Sequence, residues 1–497
     1  MERIHINTRD EGDIVVPLWK KLICAGRAAE GLRADWQAQF RNMLKDMQFE
    51  YIRFHGLFED EMGICRRDSM GKLQFSWQYL DQLFDFLLSC QVRPVVEFGF
   101  MPPCMASGDK TMFWWKGNVT PPVSYEEWNE LISNTVKHFK DRYGIDEIRK
   151  WYFEVWNEPN YHAFWAGTQE DYWKLYRVTA LAVKSIDKEL KIGGPGTTQF
   201  IDGKPPWVEE LIQFCHQNNL PLDFISFHPY PNGNINDQIM QYREENATYN
   251  DLKVTRELLS QSDYADTELI LTEWNSSYSP RDAVHDTAFM APFIIQNYLT
   301  CRGLVTALGF WTFTDVFEEE QIDNRMFHGG FGMLNLQGIK KPAYHGFWFL
   351  NRLGDRCIGA GNGYFVTKKG DDCIQILMWN YIHYSKEFAL GDRTLISDME
   401  RYEKVFADEE DKVYHVRVEG LGDVCRINSY HFDRDNGSAY DAWMKMNCYE
   451  NLTEDELAIL KQKSFPEARF SKHNQEIYEE TIHISPHGVC LIELYSC

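Results

Sequence analysis

The chain has 497 residues, of which 44% are hydrophobic and 25% charged. Its formal net charge is 51 − 74 = −23 and its sequence pI is near 5.1. That size and composition exclude a disordered chain and need no disulfide or metal staple. The acidic balance argues against nucleic acid and anionic membranes as partners, and a mean hydropathy of −0.45 with no long apolar run argues against a transmembrane helix. Aromatics are abundant (32 Phe, 25 Tyr, 16 Trp), which fits a carbohydrate partner or a large core. The 12 cysteines are scattered with no C-x-x-C pair. No zinc or thioredoxin-like site is expected, and a reducing compartment is. The first residues carry no apolar signal segment, so a cytoplasmic location is expected.

Ile4 and Ile6 alternate with polar residues, predicting a short N-terminal strand. From about residue 20 to 345, eight short apolar runs alternate with amphipathic stretches. The runs are Leu22–Ala25, Tyr51–Phe54, Pro94–Phe98, Trp151–Val155, Lys191–Gly194, Phe224–Phe227, Leu269–Thr272 and Ala307–Phe313. The intervening helical patterns include Asp35–Met47, Trp77–Cys90, Tyr125–Tyr143, Glu170–Leu190 and His285–Cys301. Eight strand–helix repeats predict an α/β fold, a (β/α)8 TIM barrel. An open doubly wound sheet is the alternative, but no glycine-rich phosphate turn follows the first strand. Beyond Phe347, runs such as Cys373–Trp379, Val413–Val418 and Val489–Leu494 predict an antiparallel β-sandwich. Thr453 with Glu456 three residues on predicts a capped helix within 451–464. The predicted division is a barrel over 14–345 and an accessory sandwich from 1–13 plus 346–497.

Barrel active sites sit at the C-terminal ends of strands. Those ends carry Arg53-Phe54-His55-Gly56, Trp156-Asn157-Glu158-Pro159, His228-Pro229-Tyr230, Glu273-Trp274-Asn275 and Trp311. Glu158 and Glu273 end the fourth and seventh strands, where two carboxyls flank the barrel mouth. Glycoside hydrolysis requires such a pair, one protonated and one ionised. Asn157 is placed to hold a sugar 2-hydroxyl, and His228 and Tyr230 to orient the second carboxylate and keep it charged. Arg53 serves the site or pairs a barrel carboxylate, and Trp311 lines the site or fills core. Met112–Trp115 and Phe164–Trp165 are either a sugar platform or loop packing, and Glu318–Glu320 is a charge run suited to a solvated loop. The bland reading of His55 and His228 is a satisfied core histidine. No H-E-x-x-H spacing is present, so neither metal nor cofactor is expected.

The segments 151–160 (WYFEVWNEPN) and 271–275 (LTEWN) resemble the acid/base and nucleophile motifs of glycoside hydrolase family 39. Residues 33–36, 52–56 (IRFHG) and 116–122 (KGNVTPP) are similar to its bacterial β-xylosidases. The resemblance covers nearly the whole chain. It implies Glu158 as general acid/base and Glu273 as nucleophile, with His55, Asn157, His228, Tyr230, Trp311 and Glu318 lining the subsite for a terminal xylose and Phe164 as an aromatic wall. It further implies an exo-acting retaining β-xylosidase on short xylo-oligosaccharides and a homo-oligomer, a tetramer. Two rivals are a relative with another glycone, such as an α-L-arabinosidase or β-glucosidase, and a non-catalytic carbohydrate-binding barrel.

Overall fold

A computed structural model places all eight apolar runs in one closed parallel barrel. The strands are β1 (Leu22–Arg27), β2 (Tyr51–His55), β3 (Arg93–Phe98), β4 (Tyr152–Val155), β5 (Lys191–Thr198), β6 (Phe224–His228), β7 (Glu268–Trp274) and β8 (Ala307–Phe310). Each pairs with its sequence neighbours, and β8 closes on β1 through Phe310 and Ile23. The structure describes residues 1–200, 203–231, 233–235, 239–241, 243–317, 319, 325–370, 373–386, 405–406, 410–421 and 425–496.

The strands are buried along both faces, as parallel strands sheathed by helices must be. Helices Ala34–Asp46, Gln78–Ser89, Tyr125–Tyr143, Gln169–Ile186 and Met290–Thr300 match the amphipathic stretches. The last begins later than its pattern, because Ala283–Asp286 forms a separate 3-10 turn. Among the described residues no helix is long and apolar enough to cross a membrane.

Two strand ends depart furthest from expectation. β5 continues past Gly194 to Thr198 through a register shift between Pro195 and Thr197, so the Gly-Pro pair marks an irregularity inside the strand. β8 stops at Phe310, where Trp311 N–H turns to the Trp274 carbonyl at 2.8 Å. β7 carries a bulge of its own. Leu271 faces Leu308 and Trp274 faces Phe310, so Thr272 and Glu273 together oppose the single residue Gly309.

Besides three short two-stranded ribbons, the strands outside the barrel form a seven-stranded and a three-stranded sheet. The larger holds Asp13–Ile14, Arg356–Gly361, Tyr364–Lys369, Cys373–Trp379, Val489–Ser496, Cys425–Phe432 and Glu467–His473 in that order. The smaller holds Glu2–Asn7, Lys412–Glu419 and Ile477–Ile484, with Ile4, Ile6, Tyr414, Val416 and Val418 in the core shared with Val366 and Ile376. Its N-terminal strand pairs parallel to Lys412–Glu419, the exception in an otherwise antiparallel pair of sheets. Helix Glu454–Lys463 starts at the Thr453–Glu456 capping box.

Candidate active site

At the end of β4 the chain leaves the extended region abruptly. Trp156 has φ 69° and Glu158 φ 44°, left-handed conformations that cost a non-glycine residue about 1–3 kcal/mol each and collect at functional sites. Neighbouring groups hold this turn. Glu158 N–H donates to the Gly196 carbonyl at 2.8 Å, and the Trp156 indole N–H donates to the Phe164 carbonyl at 2.8 Å. Glu158 is thereby aimed into the barrel mouth.

Glu273 reaches the same place from β7. Glu158, Glu273 and His228 each contribute an atom to a group lying within 4.8 Å of one another. An oxygen of each carboxyl thus lies within 4.8 Å of one on the other, a close approach that suits the retaining arrangement better than the inverting one, where a water must fit between. The three atoms could surround a cation, but they are occupied otherwise. His228 Nδ1 lies 2.8 Å from Glu158 Oε1, a hydrogen-bond contact, and Glu273 takes donors from two other residues.

Arg53, from β2, stands fully buried in the centre. It reaches Glu154 Oε2 at 2.8 Å, Glu97 Oε2 at 2.9 Å, Glu273 Oε1 at 2.5 Å and Asn157 Oδ1 at 2.9 Å. Both roles open to it in the sequence are thus filled at once. Tyr230 O–H donates to the other Glu273 oxygen at 2.9 Å. His55 lies between Glu97 (Nδ1, 2.7 Å) and Glu273 (Nε2, 3.2 Å). Because Asn157 gives its carbonyl oxygen to Arg53, its amide nitrogen is fixed facing away, buried and with no partner among the described residues. That is a donor prepared for a ligand.

Aromatic rings wall the site. Trp311 is 4.7 Å from His55, centroid to centroid, and Phe164 contacts His55, Phe100 and Phe113 at 6.4, 6.2 and 5.4 Å. The Met112–Trp115 segment contributes Phe113 to this wall, while Trp115 packs under Arg27.

Environment separates the two carboxyls. Burial, then the nearby Glu273 charge, pushes the Glu158 carboxyl well above the usual range, against the Thr198 hydroxyl and Arg53, which act to lower it. Burial, then Arg53 and His55, pushes the His228 imidazole well below its usual value. Burial beside Glu273 raises the Tyr230 phenol, so it stays a donor.

Nine of the ten residues singled out in the sequence therefore meet in one site, and Glu318 lies outside the described residues. One assignment is corrected. His228 was expected to support the second carboxylate beside Tyr230. Its ring is held on the other side by Thr272 and turns Nδ1 to Glu158 at 2.8 Å, leaving Glu273 Oε2 at 3.7 Å. Sequence reasoning missed Glu97, Glu154, Thr272, Phe100 and Thr198. For the two carboxylates a signal existed, since each is a charged residue inside an apolar strand.

A closely spaced carboxyl pair with opposed environments, in the mouth of a (β/α)8 barrel, defines a glycoside hydrolase. The chain belongs to the glycosyl hydrolases family 39, whose family model matches residues 2–476. It is 39% identical over 375 residues to a β-xylosidase of Geobacillus stearothermophilus, covering 73% of this chain and 74% of that one. It is 35% identical over 506 residues to a β-xylosidase of Caldicellulosiruptor saccharolyticus, covering 99% and 98%. The solved structure of a monomeric β-xylosidase from Caulobacter crescentus CB15 superposes with a TM-score of 0.89 at 30% identity, covering 100% of both chains.

Proposed function

We propose that the protein is a retaining, exo-acting β-xylosidase that releases xylose from the non-reducing end of short xylo-oligosaccharides. The observation that carries the mechanism is the asymmetry of the carboxyl pair. Glu273 meets two donors, Arg53 and Tyr230, which suit an anion ready to attack. Glu158 is held in a setting that favours its protonated form. In this reading Glu273 attacks the anomeric carbon as Glu158 protonates the departing oxygen. Glu158 then takes a proton from water, which displaces Glu273 from the covalent intermediate. Asn157 meets the sugar 2-hydroxyl through its unpaired amide, and Trp311, Phe164 and His55 surround the ring. The similarity to enzymes named β-xylosidases supports xylose as the glycone. Association into a homo-oligomer and residence in the cytoplasm are part of the same proposal, the latter supported by ten described cysteines that are all free.

Azide separates the two roles. Glu158→Ala should cleave xylobiose very poorly yet still react with an activated aryl xyloside, because a good leaving group needs little acid. Added azide should then restore turnover and give β-xylosyl azide. Glu273→Ala should be inactive on both substrates, and any azide product should be the α-anomer. An α-azide from the Glu158 variant would exchange the two assignments. A panel of aryl glycosides names the glycone, and a preference for arabinoside or glucoside would overturn xylose.

A further inference from the structure

We propose that Thr272 is a positioning residue for the acid/base step: its hydroxyl, committed to Glu154, holds His228 with the ring proton on Nε2 and the bare Nδ1 facing Glu158. The inference rests on the reading of Glu158 as the acid/base.

The argument is an accounting of protons. Thr272 Oγ1 is 2.7 Å from Glu154 Oε1, and the other Glu154 oxygen accepts from Arg53 Nε at 2.8 Å. A carboxylate paired to arginine only accepts, so the single hydroxyl proton of Thr272 goes to Glu154. His228 Nε2 lies 3.0 Å from the same hydroxyl oxygen and must therefore be the donor in that contact. The ring is fully buried near Arg53 and His55, surroundings that hold it neutral, so its one N–H is on Nε2 and Nδ1 carries a lone pair. Glu158 Oε1, 2.8 Å from that lone pair, can bond to it only by bringing a proton. The bulge in β7 makes the arrangement possible. Regular alternation would send Thr272 and Glu273 to opposite faces, yet both side chains reach the barrel interior.

The other groups facing Glu158 and His228 are Glu273, Arg53, Glu97, His55, Tyr230 and the Thr198 hydroxyl. The Glu273 and Glu97 charges reinforce the protonated form of Glu158, whereas Arg53 and Thr198 oppose it. The relay neither gains nor loses a proton during turnover. Glu158 passes its own to the leaving oxygen. Its carboxylate then faces a lone pair, and it recovers a proton from the attacking water. The same lone pair that keeps the acid loaded in the first step makes it a stronger base in the second.

Thr272→Val keeps the shape and removes the hydroxyl, which frees His228 to place its proton on Nδ1 and donate to an ionised Glu158. The alkaline limb of kcat/KM on xylobiose, whose poor leaving group needs the acid, should then move to lower pH by about one unit or more, the size of one hydrogen bond to a charged group. Thr272→Ser should restore the wild-type limb. In 15N-histidine spectra of the wild type, His228 should show the Nε2–H tautomer. A Thr272→Val limb superimposable on wild type, or an Nδ1–H tautomer in the wild type, would overturn the proposal. If the valine variant does not fold, the wild-type spectrum decides. Failure of azide to rescue Glu158→Ala would instead strike the acid/base assignment itself, whatever the tautomer.

Discussion

Tyr230→Phe isolates one interaction at the nucleophile. The phenol oxygen is the only atom removed, and it donates to Glu273 Oε2 at 2.9 Å in a buried site. A hydrogen bond to a charged acceptor contributes about 1.5–3 kcal/mol. In the proposed mechanism Glu273 passes from a carboxylate to a neutral glycosyl ester and back, so the bond weakens as the intermediate forms and strengthens as it breaks. If about half the charge has returned at the second transition state, about 0.75–1.5 kcal/mol of stabilisation is lost, a factor of about 4–13 in the deglycosylation rate. Formation of the intermediate should not slow by a comparable factor. Stopped-flow release of a dinitrophenolate from its β-xyloside reads both steps. The variant should show an undiminished burst followed by a slower steady state and a lower KM. A slowed burst with an unchanged steady state would refute the reasoning, because the phenol would then be acting before charge leaves Glu273.

Asn157→Ala removes the unpaired buried donor and should lower kcat/KM on xylosides by about one to two orders of magnitude, while 2-deoxy substrates, which lack the partner, should lose far less. Treatment with a strong chelator should leave kcat unchanged, since the atoms of the Glu158–His228–Glu273 cluster are engaged by protein donors and acceptors; activity lost to the chelator and restored by a divalent cation would reverse that prediction.

Most of this architecture is legible in the sequence because its signals are local. A barrel strand is a short apolar run, its helix an amphipathic one, and all eight runs lie in the closed sheet. The residues gathered at the barrel mouth were also legible, since most follow strand ends where a polar side chain has no packing reason to be. The layer behind them was not. Glu97 and Glu154 lie within β3 and β4, where strand periodicity reports burial and says nothing of a partner. Their partner, Arg53, is 101 residues from Glu154 and comes from another strand. Thr272 was hidden differently. Its side-chain direction depends on a bulge, and a bulge depends on pairing with β8. His228 was read against the wrong carboxylate for the same reason, because Thr272 decides which way its ring turns.

That hidden layer gives two chemically identical side chains the different settings on which the proposed division of work rests. Arg53 touches Glu97, Glu154 and Glu273, and Glu158 is not among its partners. The Glu273 and Glu97 charges oppose a further negative charge at Glu158. The proton therefore settles on the carboxyl without a cation contact. The circuit Arg53–Glu154–Thr272–His228 then runs from the nucleophile to the acid, presenting donors at the Glu273 end and a lone pair at the Glu158 end. A neutral substitute for Glu154, such as Gln, would disturb both ends. It weakens the hold on Arg53 and lets Thr272 turn its proton toward His228. The proposed acid/base and nucleophile roles are in this sense one property of the buried network, so the Glu154 variant should change the pH profile and the burst kinetics together.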